Sequence, residues 1–178
     1  MEYYVAGFII LSYLLGSFSS AVWFGRWFWN IDVREHGSKN AGATNTFRVL
    51  GYKAGIPVFV ADILKSFIAV QLINFVPELE KGSELYFQIM LMFGTAAVIG
   101  HIFPLYTGFR GGKGVASMLG FVIAVHPAAA GITFGVFLIV FLISRIVSIS
   151  SLSAALSFPV IIYLLEHGDS VTLTVFSI

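Results

Sequence analysis

Long apolar stretches separated by short polar ones set the outline of this chain. Residues 3–25, 54–76 and 85–105 are each apolar over about the 20 positions that a helix needs to cross a hydrocarbon core. Residues 115–144 carry no charged side chain over 30 positions, and His126-Pro127 interrupts them. A run that long with a proline inside predicts two shorter helices, roughly 115–126 and 128–144, turning at that dipeptide. Residues 147–165 predict a further span, and 170–178 the start of another that the sequence cuts off. The pattern predicts an all-α polytopic membrane helix bundle, one domain over residues 1–178, with about seven transmembrane helices, the last truncated.

Composition agrees with this. The chain is 58% hydrophobic and only 11% charged, with a mean hydropathy of +0.92. Soluble domains carry about a quarter charged residues, and a globule of this size could not bury so much apolar surface. There is no cysteine, which excludes disulfides and thiolate chemistry. Met1-Glu2-Tyr3-Tyr4 lacks the basic start of a cleavable signal peptide, so the first apolar segment reads as a retained helix. The net charge of +1 points to no partner class, nucleic acid included.

The distribution of charge orients the bundle. Arg26, Arg34, Lys39, Arg48 and Lys53 follow the first span, Arg110 and Lys113 the third, and Arg145 the fifth. With the N-terminus outside, all of these face the cytoplasm, as basic residues of short loops do. Glu2, Glu78, Glu80, Glu84, Glu166 and Asp169 then fall outside, with Lys81 the exception.

Two polar, glycine-rich loops land on that cytoplasmic side. The first is Gly37-Ser38-Lys39-Asn40-Ala41-Gly42-Ala43-Thr44-Asn45, preceded by Asp32-Val33-Arg34 and closed by Arg48. Glycines let backbone N–H groups converge, Ser38, Asn40, Thr44 and Asn45 add neutral donors, and Arg48 adds a forked cation, a combination suited to phosphate. The bland alternative is a flexible loop carrying topology charges. The second loop is Phe109-Arg110-Gly111-Gly112-Lys113-Gly114. It lacks P-loop spacing and any preceding strand. Its glycines admit a ligand to the backbone, Lys113 supplies a point charge, and the helix that follows offers N–H groups to an anion. Two such loops suggest one phosphate-handling site or two adjacent ones.

Other polar groups are fewer. His101, in Gly100-His101-Ile102-Phe103-Pro104, ends the third span at the same face as Lys113. Orienting a substrate hydroxyl, binding phosphate and acting as a base are all open to it, beside a purely structural hydrogen bond. Asp62 and Lys65 lie three apart inside the second span, where charges are expensive and must pair or face a polar interior. A stabilising pair and a direct ligand role are both open. His126 and His167 are expected on the outer side, while His36 lies in the first loop. There is no HExxH, no metal-ligand cluster and no G-x-S-x-G elbow.

Taken together, these residues resemble the bacterial membrane glycerol-3-phosphate acyltransferases that use acyl phosphate as donor. The resemblance runs over nearly the whole chain. It rests on Gly16-Ser17, Asp32-Val33-Arg34, residues Gly37 to Asn45 with Arg48, Asp62-Ile63-Leu64-Lys65, Gly100 to Pro104, and Gly111-Gly112-Lys113-Gly114-Val115-Ala116-Ser117. It implies transfer of a fatty acyl group from acyl phosphate to the 1-hydroxyl of glycerol 3-phosphate, the first step of phospholipid synthesis, in the bacterial inner membrane and from its cytoplasmic side. No cofactor is implied. The implied partners are glycerol 3-phosphate, a long-chain acyl phosphate and membrane lipid.

The resemblance assigns Ser38, Arg48 and Lys113 to phosphate binding and charge stabilisation, and His101 to positioning glycerol 3-phosphate. Gly37, Asn40, Gly42, Thr44, Asn45, Gly111 and Gly112 would shape the pocket, and Ser148 matches a family position near it. The family usually has Gly at Lys39, Lys at Arg110, Thr at Ser117 and Gly at Ser66. Family members also finish the last helix and continue into a basic, His- and Asn-containing tail, so a sequence stopping at Ile178 reads as truncated.

Competing classes use the same materials differently. A transporter of phosphorylated anions would keep its site near the midplane on broken helices, often in repeated halves, but here the candidate groups sit at one face and no repeat is visible. A structural membrane protein would not need the dense Gly/Asn/Thr loop. An acyl-CoA-dependent enzyme would call for further cationic or adenine-binding features, and none is evident.

Overall fold

The computed structural model describes residues 1–166, and these are overwhelmingly helical. The helices are α1 (Glu2–Ser17), α2 (Ser20–Trp29), α3 (Ala43–Leu50), α4 (Tyr52–Gln71), α5 (Glu84–Ile102), α6 (Val115–Val125), α7 (Pro127–Ser144) and α8 (Val147–Glu166). Short 3-10 turns extend α4 over Leu72–Phe75 and follow α5 at Leu105–Thr107. Among the described residues four helical segments are long and apolar enough to cross a membrane: Tyr52–Phe75, Glu84–Thr107, Pro127–Ser144 and Val147–Leu165. The protein is thus a multi-pass membrane helix bundle. The expected helix at 170–178, together with His167 and Asp169, lies outside the described residues.

The first span differs from the expected single helix over residues 3–25. It breaks after Ser17 and resumes at Ser20, bent by 41° and running on to Trp29. Phe18 is extended there. The break has identifiable causes: Ser17 Oγ donates back to the carbonyl of Tyr13 at 2.8 Å, a bond that competes with the helix ladder. The carbonyl of Phe18 is taken by Lys65 Nζ at 2.8 Å. The break that the sequence did predict is where the proline demanded it. α6 ends at Val125, and Pro127 opens α7 with His126 Nδ1 accepting from the Ala129 N–H at 3.1 Å.

Close helix contacts are made through small residues, as in membrane bundles generally. The backbone of Gly16 lies on the Ala97 carbonyl, that of Gly100 on Tyr13, and that of Gly120 on the Ile63 carbonyl, leaving no room for a side chain at any of the three. α5 is thereby held against α1, and α6 against α4. Phe93 and Phe121 fill the core between them with Val70, Ile73 and Val98. α7 and α8 form a second layer whose contact is made by Ala129, Ile161 and Ile162. Their outer faces carry Ile143, Leu142 and Leu156, all more than half exposed, which is the natural surface to turn towards lipid.

Candidate functional site

The first polar loop is shorter than the sequence suggested, because α3 begins at Ala43. Thr44, Asn45 and Arg48 therefore stand on a helix rather than in a loop. Glycines bound this helix at both ends, Gly42 before it and Gly51 after it at φ 77°, which is the readable signal the loop reading passed over.

Asn45 is corrected further. It is 2% exposed, and its amide is spent inside the loop. Nδ2 donates to the carbonyls of Val33 at 2.7 Å and His36 at 3.2 Å, and Oδ1 accepts from the Ser38 N–H at 2.8 Å. Asn45 thus folds the loop and has no donor left for a ligand. A Cβ on Gly37, which sits at φ +59°, would overlap Asn45 Oδ1. Gly37 is there because the turn needs both a left-handed residue and an absent side chain.

Ahead of the loop, Asp32 accepts from the Arg34 backbone at 3.0 Å and from its guanidinium Nη2 at 2.8 Å. The hydrogen bonds from Arg34 hold the Asp32 carboxyl well below the usual carboxylate range, and the carboxylate in turn raises Arg34. Arg26 adds an outer contact to Asp32 at 2.8 Å. The remaining nitrogen of Arg34, Nη1, donates to the carbonyl of Thr107 at 2.7 Å. Arg34 therefore ties the first loop to the segment leading into the second.

The two glycine loops touch directly. The Ala41 N–H donates to the Gly111 carbonyl at 3.4 Å, and the Gly112 N–H to the His101 carbonyl at 3.1 Å. Gly111 has no room for a side chain against the His101 carbonyl, and a Cβ on Gly112 would overlap His101 Nε2. α3 starts just after this contact on one strand of chain and α6 just after it on the other, at Val115. Ser38, Thr44, Arg48 and Lys113 are exposed around it, and Asn40 is half-buried. Among the described residues, the side chains of Arg48 and Lys113 make no hydrogen bond or ion pair, so two cations are free for an anion.

His101 is 5% exposed, beneath this contact. Its Nδ1 lies 3.4 Å from Asp62 Oδ1. The same oxygen accepts from Ser20 Oγ at 2.6 Å and faces Lys65 Nζ at 2.9 Å. The intramembrane pair is thus enclosed, at 1% and 7% exposure, and a direct ligand role does not fit it.

From Lys113 an apolar groove of about 810 Å³ runs between α6, α7 and α8. Met118, Val122, Phe134, Leu152 and Phe158 are among its walls, and Ser148 stands at the end that holds Lys113. Ser148 thus shares the groove with Lys113 rather than the contact between the loops. His36 is exposed on the first loop, and His126 is engaged in capping α7. No group of three His, Cys, Asp or Glu able to hold a metal occurs among the described residues.

Similarity to known proteins runs over nearly the whole chain. The model of the family described as glycerol-3-phosphate acyltransferase matches residues 6–178. The chain is 39% identical over 168 residues to a glycerol-3-phosphate acyltransferase of Salinibacter ruber, covering 90% of this chain and 73% of that one. It is 42% identical over 165 residues to one of Chlorobaculum tepidum, covering 89% and 70%. Among solved structures it is similar to PlsY (YgiH), an integral membrane glycerol 3-phosphate acyltransferase, in its glycerol 3-phosphate form. That match has a TM-score of 0.81 and 36% identity, and covers 97% of this chain and 82% of that one. The lysophosphatidic acid form matches with a TM-score of 0.80 and 34% identity, covering 97% and 83%.

Proposed function

The chain belongs to the glycerol-3-phosphate acyltransferase family, and on that premise we propose that it moves a fatty acyl group from acyl phosphate to the 1-hydroxyl of glycerol 3-phosphate. The products are lysophosphatidate and inorganic phosphate. The observation that carries this reading is the junction of an anion site with an apolar groove. Lys113 belongs to both, since it follows Gly112 in the loop contact and lines the groove of about 810 Å³. A molecule with a phosphate at one end and a long acyl chain at the other is what such a junction accommodates.

The chemistry asks little of the protein beyond position and charge. An acyl phosphate is a mixed anhydride with a good leaving group. The glycerol hydroxyl oxygen attacks the acyl carbon, the bond from that carbon to the phosphate oxygen breaks, and the hydroxyl proton leaves on phosphate. No acyl-enzyme is needed, in keeping with a chain lacking any nucleophile elbow. Lys113 and Arg48 stabilise the charge on the leaving and acceptor phosphates. Ser38 and the N–H groups opening α3 and α6 add neutral donors. Gly37, Asn40, Gly42, Thr44, Gly111 and Gly112 shape the walls, Asn45 holds the first loop in form, and His101 positions glycerol 3-phosphate by accepting from its 2-hydroxyl. Ser148 stands with Lys113 at the head of the groove.

One domain spans the chain, with about seven crossings, the N-terminus outside and the site on the cytoplasmic side of the bacterial inner membrane. The basic loops support this orientation. Arg34, Lys39, Arg110 and Lys113 belong to the connected loop segments, Arg48 to the short helix α3 that follows the first, and Arg145 precedes the helix that brings Ser148 to the same groove.

The test is direct. Detergent-purified protein is given palmitoyl phosphate with glycerol 3-phosphate, and palmitoyl-CoA in a parallel reaction. Lysophosphatidate and phosphate formed with the acyl phosphate alone support the reading. Product from the CoA ester alone removes the donor assignment, and product from neither removes the activity.

A further inference from the structure

Asp62 takes no part in the reading above, yet the interior is organised around it. It sits on α4, 1% exposed, and its Oδ1 meets partners from three other positions. Ser20 Oγ on α2 donates at 2.6 Å, Lys65 Nζ one turn along α4 lies at 2.9 Å, and His101 Nδ1 on α5 lies at 3.4 Å. Lys65 and His101 are the titratable groups that meet Asp62 among the described residues. The charge on Asp62 is already balanced by Lys65, and Lys65 spends a second bond on the Phe18 carbonyl at 2.8 Å. A structural ion pair closing the bend between α1 and α2 would be complete with these groups. The imidazole is surplus to it.

What His101 gains is a defined tautomer. A neutral imidazole has one N–H and one lone pair. Nδ1 lies 3.4 Å from a carboxylate oxygen, too far off line for a hydrogen bond in this structure, yet close enough that a lone pair there would face a negative charge. Protonated Nδ1 removes that repulsion, turns an N–H towards the carboxylate and leaves the lone pair on Nε2. Nε2 is the edge of the ring that faces Gly112, where any Cβ would overlap it. Gly112 is in turn bonded through its N–H to the His101 carbonyl at 3.1 Å, so ring and loop are held in one register. Only the bare backbone of Gly112 lies against Nε2 on the side of the loop contact.

We propose that Asp62 is a positioning residue that holds His101 as the Nδ1–H tautomer, so that Nε2 is an acceptor at the loop contact for the 2-hydroxyl of glycerol 3-phosphate. The assignment of the hydroxyl rests on the function proposed above, whereas the tautomer does not.

The two are separated by measuring the tautomer without substrate. The full chain is prepared with nitrogen-15 in its histidines, and the His101 signals are identified by their loss in His101→Gln. The expected spectrum has Nδ1 protonated and Nε2 bare in the unchanged protein, and a mixed or reversed pattern in Asp62→Asn. That variant is expected to lose about 10- to 100-fold in kcat, the usual cost of removing the partner that orients a functional histidine, with the KM for glycerol 3-phosphate changed far less. In a His101→Gln background the same substitution should cost little more, because both act through one group. A protonated Nε2 in the unchanged protein overturns the proposal even if Asp62→Asn does not fold. So do a tautomer unmoved in Asp62→Asn and losses that add in the double variant. The expected tautomer in a protein that turns over no acyl phosphate leaves Asp62 orienting His101 and removes the hydroxyl.

Discussion

Arg34 reaches 73 residues along the chain to donate from Nη1 to the carbonyl of Thr107 at 2.7 Å. Its other nitrogens are held by Asp32, so one planar side chain bridges a carboxylate on the first loop and a backbone oxygen before the second. Lysine has the charge but not the fork. Arg34→Lys should therefore keep one of the two contacts and lose the other. A charge-assisted bond is worth about 1.5–3 kcal/mol, and the loss should appear as a lower melting temperature and a raised KM for glycerol 3-phosphate.

The same ion pair sets a pH dependence. Asp32 is held below the usual carboxylate range by Arg34, so the folded state binds its proton less readily than the unfolded chain. The stability it adds is present above the unfolded carboxyl pKa of about 3.9 and is lost as pH falls below that value towards the folded one. Asp32→Asn should flatten the acid side of a melting-temperature profile and leave the profile near neutral pH parallel to that of the unchanged protein. Equal acid slopes in the two would contradict this.

Lys113 and Arg48 stand beside the loop contact and make no hydrogen bond or ion pair among the described residues. Removing a preorganised charge-stabilising donor costs about 10²- to 10³-fold in rate. Lys113→Ala and Arg48→Ala should each fall in that range in kcat/KM while melting normally, since neither side chain packs in the core. Full activity in a folded variant would remove that residue from the site.

Gly112 offers a steric test. Added as alanine, its Cβ would overlap His101 Nε2 and lie 3.1 Å from the Ala41 carbonyl oxygen. Gly112→Ala should lower activity by covering Nε2 and by prying the loops apart. Gly131 on α7 has open space around it, and Gly131→Ala serves as the control expected to leave activity unchanged.

The groove makes a prediction about chain length. Leu152 and Ala155 lie on its α8 wall. Ala155→Trp would fill the groove well beyond Lys113 and Ser148. Turnover of long-chain acyl phosphates should then fall more than that of short-chain ones, measured as the ratio of kcat/KM values. A uniform loss would separate the groove from the acyl chain.

Much of this arrangement follows from local rules. The break at His126-Pro127 was legible because a proline cannot continue the ladder of the helix before it. The four membrane-long helices among the described residues were legible because apolar length alone decides them, and the glycine loops because their composition is unlike that of a span. The bend at Phe18 was not. It depends on Lys65, far along the chain, meeting a carbonyl that Ser17 had already helped to free. Helix α3 was readable from Gly42 and Gly51, but the polar side chains between them looked like a loop.

The sequence by itself determined the class of molecule, its apolar spans and the kinds of group available for phosphate, because each depends on residues adjacent in the chain. Which of those groups are free for a ligand was decided only by the tertiary structure. Asn45 looked like a donor to substrate and is consumed by Val33, His36 and Ser38. Asp62 was open to pairing with Lys65 or to a ligand role, and its carboxylate is met by groups from α2, α4 and α5. The physical reason is that a hydrogen bond is made once. Whether a donor faces a ligand depends on which backbone carbonyls packing brings within 3 Å or so of it, and composition does not record that.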